Sequence, residues 1–352
     1  MERKVLMWFV IWFIGLPLFF GMTYEAQAQD KTIQLTFSSQ FPANHPMAGP
    51  EKDWAKEVEK RTNGKVKVTI YFSGTLTSPA ACYEGVVRGQ SDIGACVLSM
   101  TRGRFPLMEA VELPGYPFNA IVTSKVSYEF YKKFKPKELD ETHMLYLHQH
   151  IPGAIHTRTK AVKKLEDLKG VRIRCTGLAA KIAQALGATP VTMPKGDTYD
   201  ALSRGIVEAT FGAPNDILGW KLAEVCKYCT LYPPAGYTAA FATVMNKAKW
   251  NSLPPDIQKV LTDVSEEWVE HTGKVWNNGE TEAFQFSKKK GEDRFIFISG
   301  QEGTRWDKAL QPIYETYKKN MQEKGLPGEE ALKYRQELIE KYSKMYPALK
   351  TN

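Results

Sequence analysis

The sequence predicts an α/β fold of two α/β lobes, with one long helix spanning both. Three observations carry this. Short β-type runs alternate with helical patterns, the βαβ rhythm that goes with a largely parallel sheet. The rhythm breaks at Ile151-Pro152-Gly153 and then starts afresh, so the chain runs through two cycles. Beyond Pro254, apolar residues keep a helical period for about 30 residues, which makes about 45 Å of helix, longer than one small lobe is wide.

In the first cycle Thr32 to Phe37 reads as a strand, and Pro46 to Arg61 carries Trp54 and Val58 at helical spacing. Asn63-Gly64 breaks the chain, and Lys65 to Ile70 alternates with the period of two that puts every second side chain on one face. Ala80 to Val87 is helical, Ile93 to Leu98 a buried-type strand, Ser124 to Phe134 a helix and Met144 to His150 a strand. In the second cycle Arg172 to Cys175 and Ala209 to Phe211 are strands, with helices over Leu178 to Leu186, Asp197 to Arg204 and Asp216 to Val225. Phe241 to Met245 is again a strand. Pro254 and Pro255 suit a helix start, because a first-turn proline loses no intrahelical hydrogen bond. Ile257, Val260, Leu261, Val264 and Trp268 then share one helical face. The period weakens toward Phe286, where Gly273 and Gly279 interrupt it, and Pro327 to Tyr346 reads as a charged amphipathic helix.

The chain has 352 residues, 43% hydrophobic and 24% charged, an ordinary balance for a soluble protein of about two domains. Disorder, a collagen-like repeat and a multi-span membrane protein are excluded. Forty-seven basic residues against 39 acidic ones leave a charge of +8, which favours small anions more than it names a polymer. The basic residues are scattered, as in Lys163-Lys164 and Lys288-Lys289-Lys290, without interleaved aromatics, so no nucleic-acid partner is expected. At the N-terminus Glu2-Arg3-Lys4 precedes an apolar run, Val5 to Phe20, and then Ala26-Gln27-Ala28. This is the pattern of a cleaved signal peptide over residues 1–28. The run falls short of the roughly 20 residues that span a bilayer, and Gly15 and Pro17 interrupt it. A periplasmic location is therefore expected. Cleavage removes Arg3 and Lys4 together with Glu2 and Glu25, so the surplus of +8 belongs to the mature protein.

Several chemical motifs are weighed and set aside. Cys226-Lys227-Tyr228-Cys229 has redox or zinc spacing, but it follows a predicted helix rather than opening one, and no second such pair exists. A structural disulfide or thiols within the turn is the reading; Cys82, Cys96 and Cys175 are the other cysteines, too few in all for a disulfide scaffold. His143, His148, His150 and His156 cluster, with no carboxylate spaced to complete a metal site. No nucleophile elbow, phosphate loop, dinucleotide fingerprint or zincin motif appears, so neither an enzyme nor a bound cofactor or metal is expected.

The segment Leu165-Glu166-Asp167-Leu168-Lys169-Gly170-Val171-Arg172-Ile173-Arg174 resembles the start of the second lobe in TRAP-type (DctP family) periplasmic solute-binding proteins. Gly187 to Val191, Met193-Pro194, Tyr199-Asp200-Ala201-Leu202 and Gly205-Ile206-Val207-Glu208 continue the likeness. So do Trp54 to Val58 leading into Asn63 to Val66, Gly89 to Gly94, Leu113-Pro114, and Leu253 to Gln258. The pieces fall in order from about residue 30 to 330. The resemblance implies a bilobal periplasmic-binding-protein fold with the ligand in a cleft between the lobes. It puts residues 29–151 and 238–277 in lobe I, and 152–237 and 278–352 in lobe II. The implied partners are a small organic acid anion and a small and a large TRAP membrane subunit, which together use an ion gradient, usually sodium, for uptake; the binding protein itself is expected to be a monomer.

In that family a strand arginine pairs with the ligand carboxylate, and the matching residue is Arg174. A guanidinium stays charged and its planar fork fits a carboxylate bidentately. Arg172 and Arg174 share a strand face, so periodicity alone does not separate them. Two departures stand out: a second family arginine falls at Ala154, and an asparagine that often holds the carboxylate falls at Gly212, with Asn215 three residues on. A poly-hydroxylated sugar acid is thereby disfavoured. Lys195 stands where many members have an aromatic, and reads equally as a second cation for the ligand or as an exposed loop lysine. Gln40 and Phe41 end the first strand at a ligand-touching place, and Val97 and Met100 fall in the other cleft-facing loop. Phe211, Trp220 and Tyr237 line the cleft or belong to the core. One anchor in an apolar pocket suits a monocarboxylate with an apolar or aromatic body. The rivals are a secreted enzyme on a bilobal scaffold, which needs a catalytic constellation not found here, and a binding protein serving an ATP-driven transporter or a sensor kinase, which neighbouring genes for four-helix and twelve-helix membrane proteins would exclude.

Overall fold

Eleven strands form among the residues that the computed structural model describes, 32–101 and 103–350. The expected signal peptide, residues 1–28, lies outside the described residues. In chain order the strands are β1 (Ile33–Ser38), β2 (Val66–Tyr71), β3 (Ile93–Val97), β4 (Thr142–Gln149), β5 (Ala154–Thr157), β6 (Arg172–Cys175), β7 (Thr189–Thr192), β8 (Ala209–Gly212), β9 (Tyr228–Leu231), β10 (Ala240–Asn246) and β11 (Phe295–Phe297). They build two sheets, one ordered β2-β1-β3-β10-β4 and the other β11-β9-β5-β8-β6-β7. The chain leaves the first sheet after β4, and β10 returns to it.

These sheets are mixed, which corrects the expectation of largely parallel ones. β1 pairs in parallel with β2 and β3, but β10 lies antiparallel to both β3 and β4. In the second sheet β5 is antiparallel to β8 and β9, while β6 is parallel to β7 and β8. The cause is connectivity. β5 follows β4 through a short Ile151-Pro152-Gly153 link, and β10 comes back from the other sheet, so neither is delivered by the helical crossover that a parallel neighbour needs.

The first sheet is held by apolar residues that its strands and helices turn inward. Trp54, on the helix Ala48–Arg61, lies edge-on to Phe37 with ring centroids 6.1 Å apart and tilted against Tyr146 at 6.4 Å. The helix Pro255–Lys289 runs unbroken for 35 residues. Its first half packs on Ala48–Arg61, where Trp54 Nε1 donates to Ser265 Oγ at 3.3 Å and Trp268 Nε1 to the Pro50 carbonyl at 2.7 Å. Its second half carries Glu280, whose Oε2 accepts the Asn215 backbone N–H at 2.8 Å, just beyond β8. One helix thus ties the two sheets together.

Gly273 and Gly279 do not interrupt that helix. They permit close approach: a Cβ on Gly273 would lie 2.8 Å from Ile121 Cα, and one on Gly279 would lie 2.8 Å from Asn215 Nδ2. The expected helix over Asp216 to Val225, by contrast, is split. Asp216–Gly219 makes one α turn, Leu222–Glu224 a 3₁₀ turn, and Lys221 between them takes φ 55°. The helix Gly300–Glu323, with Pro312 inside it, is an addition to the sequence reading. The five cysteines are buried thiols. No helix among the described residues is long and apolar enough to cross a membrane.

Glu51 gives this core a pH dependence. It sits in the first turn of Ala48–Arg61, buried, and burial lifts its pKa from 4.5 to about 8. The folded state therefore holds a proton that the unfolded chain has released, and stability falls as pH rises from 4.5 through 8. Glu51→Gln is expected to flatten that slope and to gain on the order of 2 kcal/mol above the window, with little change below it. Urea denaturation on either side of the window measures the difference.

Candidate functional site

Arg174 reaches the site because β6 delivers it there. The turn Leu165–Leu168 and Gly170 lead into the strand, whose Ile173 and Cys175 point into the core. Arg172 and Arg174 then occupy the opposite face at different depths. Arg172 is exposed at the strand's start, where its Nε donates to Glu208 Oε1 at 3.0 Å and its Nη2 to the Gly205 carbonyl at 3.0 Å. Arg174, two residues nearer the strand's C-terminal end, is 3% exposed. Its Nε and Nη2 both donate to the Met193 carbonyl, at 3.1 and 2.9 Å. Burial lowers its pKa, but a guanidinium remains charged. Position along the strand separates two arginines that periodicity leaves equivalent.

Beside Arg174 the register of the sheet brings Thr210 of β8 alongside, and Gly212 follows on the same face. Gly212 is paired across the sheet with Ala154 of β5. The room these small residues leave is taken by an ion pair: Lys195 Nζ donates to Asp216 Oδ2, with the two side chains 16% and 6% exposed. The exposed-loop reading of Lys195 is thereby corrected. The ammonium is drawn in by Asp216 and also lies 5.9 Å from the Trp220 ring centroid. Asn215 is engaged by the long helix instead, through its backbone bond to Glu280 and its amide against Gly279.

Aromatic side chains from distant segments assemble next to this charged group. Phe41, buried just past β1, stacks on His45 at 4.8 Å and on Phe241 of β10 at 5.6 Å, and meets Trp276 of the long helix at 6.3 Å. Trp220 tilts against His45 at 5.2 Å. Tyr237 is edge-on to Phe211 at 5.6 Å and to His150 at 4.9 Å. Val97 joins the Phe41 cluster, Met100 packs on it, and Gln40 is half-buried beside Phe41. A cavity of about 310 Å³ lined by Ser99, Met100, Thr176, Gly177, Met193 and Pro194 opens beside Arg174's carbonyl partner. A larger one of about 490 Å³ continues it past Ser99, Gly177 and Thr192 toward Phe105, Glu112 and Lys181.

Sequence reasoning missed His45, Phe241 and Trp276, and took the strand histidines only as structure. His148 stacks on Phe241 at 4.8 Å and accepts Trp276 Nε1–H at 3.2 Å. His150 Nε2 accepts the Ala239 N–H at 3.1 Å, so its Nδ1 donates to the Ile151 carbonyl. Burial lowers the pKa of His45 and His150 to about 4 and of His148 to about 3, so these rings are neutral at pH 7. The result is a buried cation, an internally neutral ion pair and flat aromatic walls. Such an arrangement is suited to an anion with an apolar body, and the residues that form it include no nucleophile–base pair.

The comparisons with known proteins agree with the two-sheet α/β fold. The profile of bacterial extracellular solute-binding protein family 7 (DctP) matches residues 37–320. A TRAP periplasmic solute-binding protein from Desulfovibrio salexigens DSM 2638, crystallised as an open complex, is 34% identical, with a TM-score of 0.79 over 88% of this chain and 96% of its own. A marine metagenome TRAP solute-binding protein specific for aromatic acid ligands, crystallised with 3-hydroxybenzoate, is 31% identical, with a TM-score of 0.83 over 88% and 99%. One from Rhodoferax ferrireducens T118, in complex with copurified benzoate, is 28% identical, with a TM-score of 0.84 over 89% and 99%. The chain belongs to bacterial extracellular solute-binding protein family 7, the DctP family of TRAP-type periplasmic solute-binding proteins.

Proposed function

We propose that this protein captures an organic monocarboxylate with an aromatic body in the cleft between its lobes, and delivers it to a small and a large TRAP membrane subunit for ion-gradient-driven uptake. Arg174 carries the reading. It is a buried guanidinium that makes no ion pair with a carboxylate among the described residues, its Nε and Nη2 being spent on a backbone carbonyl. A buried charge is costly unless paired, and a ligand carboxylate supplies the missing counter-charge. Lys195 stands beside Arg174 but is neutralised by its pairing with Asp216, and Phe41, Val97, Met100, Phe211, Trp220 and Tyr237, with Gln40 at the edge, supply the walls. Benzoate and 3-hydroxybenzoate in the relatives' complexes favour an aromatic body.

The lobes are taken as residues 29–151 with 238–277 and 152–237 with 278–352. This division is supported by β1–β4 sharing a sheet with β10, while β5–β9 share the other with β11. Ligand shifts an open–closed equilibrium toward the closed form, which the membrane subunits recognise. The protein acts as a monomer in the periplasm after cleavage behind Ala28. A thermal-shift screen of carboxylates tests the reading. Aromatic monocarboxylates are expected to raise Tm by mass action, and a screen in which no carboxylate does so contradicts it.

A further inference from the structure

We propose that the Lys195–Asp216 pair, seated in the space that Gly212 leaves open beside Arg174, sets the ligand site at one net positive charge and so selects monoanionic over dianionic acids. This deepens the function proposed above and rests on it.

The pair is built into the site. A Cβ on Gly212 would lie 1.8 Å from Asp216 Oδ2 and 2.8 Å from Lys195 Nζ, so the two charged groups occupy the place of a side chain on β8. That place is on the Arg174 face of the sheet, two residues beyond the Thr210 that sits alongside it. Burial weighs against the charged forms of Arg174 and Lys195, Asp216 supports both, and Arg174 opposes that of Lys195. Without Asp216 the site would present two cations, and without Lys195 it would present none in net.

The surrounding groups leave this count unchanged near neutral pH. From the first sheet and its loops come His45 and His150, and from β5 His156, each lowered by burial to about 4 and therefore neutral. The long helix contributes Glu280, raised well above the carboxylate range by burial, and the segment before β10 contributes Tyr237, raised by burial as well. Asp197, which also acts on Arg174, is exposed and screened by water. One carboxylate entering against Arg174 therefore neutralises the site. A second carboxylate on the same ligand would be buried without a counter-charge, and desolvation disfavours it.

The test is a charge cycle read by calorimetric titration with benzoate and phthalate. Lys195→Met takes the site to zero net charge and is expected to weaken benzoate about 30-fold or more. Asp216→Asn takes it to two positive charges and is expected to improve phthalate relative to benzoate by roughly tenfold. The double variant restores one positive charge and is expected to bind benzoate within about threefold of wild type. Lys195→Gln paired with Asp216→Asn repeats the cycle with near-isosteric side chains, should the methionine variant fold poorly. A pair that mattered only for packing leaves the double variant no better than Lys195→Met, and that result overturns the proposal while the proposed function stands. Wild-type protein that binds none of benzoate, 3-hydroxybenzoate and mandelate removes the proposed function, and this proposal with it.

Discussion

Arg174→Ala is expected to cost about 3 kcal/mol or more of carboxylate binding, roughly a 100-fold or greater rise in Kd. The guanidinium is already oriented, since its Nε and Nη2 are fixed on the Met193 carbonyl at 3.1 and 2.9 Å. A ligand carboxylate then gains a partner without having to order it. Arg174→Lys is expected to recover little, because a lysine offers a point charge in place of a planar fork. The ligand-free melting temperature separates this from a folding defect. Removing a buried cation without a carboxylate partner relieves desolvation, so the apo protein is expected to melt no lower than wild type. Full affinity in Arg174→Ala would sink the assignment of the anchor.

Gly177→Ala is expected to harm the closed state more than the fold as a whole. Gly177 follows β6 with φ 54° and ψ −132°, a backbone region that side chains other than glycine avoid. Strain there costs about 1–3 kcal/mol in any state, which lowers the apo Tm. A Cβ at this position would also lie 2.5 Å from Ser99 Cβ and 3.0 Å from the Ser99 carbonyl, across the cleft in the turn after β3. On the proposed open–closed equilibrium this overlap burdens the closed form, and it is expected to subtract a further 1–3 kcal/mol, roughly, from ligand binding. Adding Ser99→Gly removes the side-chain part of the overlap. It is expected to return part of the lost affinity while leaving the apo Tm low. Affinity and Tm recovering together would show that Gly177 matters only for local stability.

Much of this fold can be read from residue patterns, and the failures have physical causes. β6 falls over Arg172–Cys175 as its alternation requires, and the long helix follows the Ile257, Leu261, Val264 and Trp268 face. The short strands β7 (TPVT), β9 (YCTL) and β11 (FIF) show no clear alternation of apolar and charged residues, unlike β6 (RIRC), and they are strands because neighbouring strands pair with them. The helix Gly300–Glu323 did carry a signal, with Trp306, Leu310, Ile313, Tyr317 and Met321 at helical spacing, but Pro312 obscures it. In the site, the family likeness singled out Arg174, and the structure supplies the reason it differs from Arg172. The partnership of Lys195 with Asp216 and the meeting of Phe41, His45, Phe241 and Trp276 are tertiary facts. Apart from the neighbours Phe41 and His45, those residues come from different segments of the chain, and no local pattern encodes their contact.

One buried guanidinium, Arg174, is expected to take one carboxylate in this cleft. Calorimetric titration of the mature protein with benzoate at neutral pH tests it most directly, with benzyl alcohol as the uncharged counterpart and Arg174→Ala as the reference. Saturable binding at one site per chain is expected for benzoate and none for benzyl alcohol, with loss of the benzoate signal in the variant. Equal binding of the acid and the alcohol, or benzoate binding that survives Arg174→Ala, would contradict it.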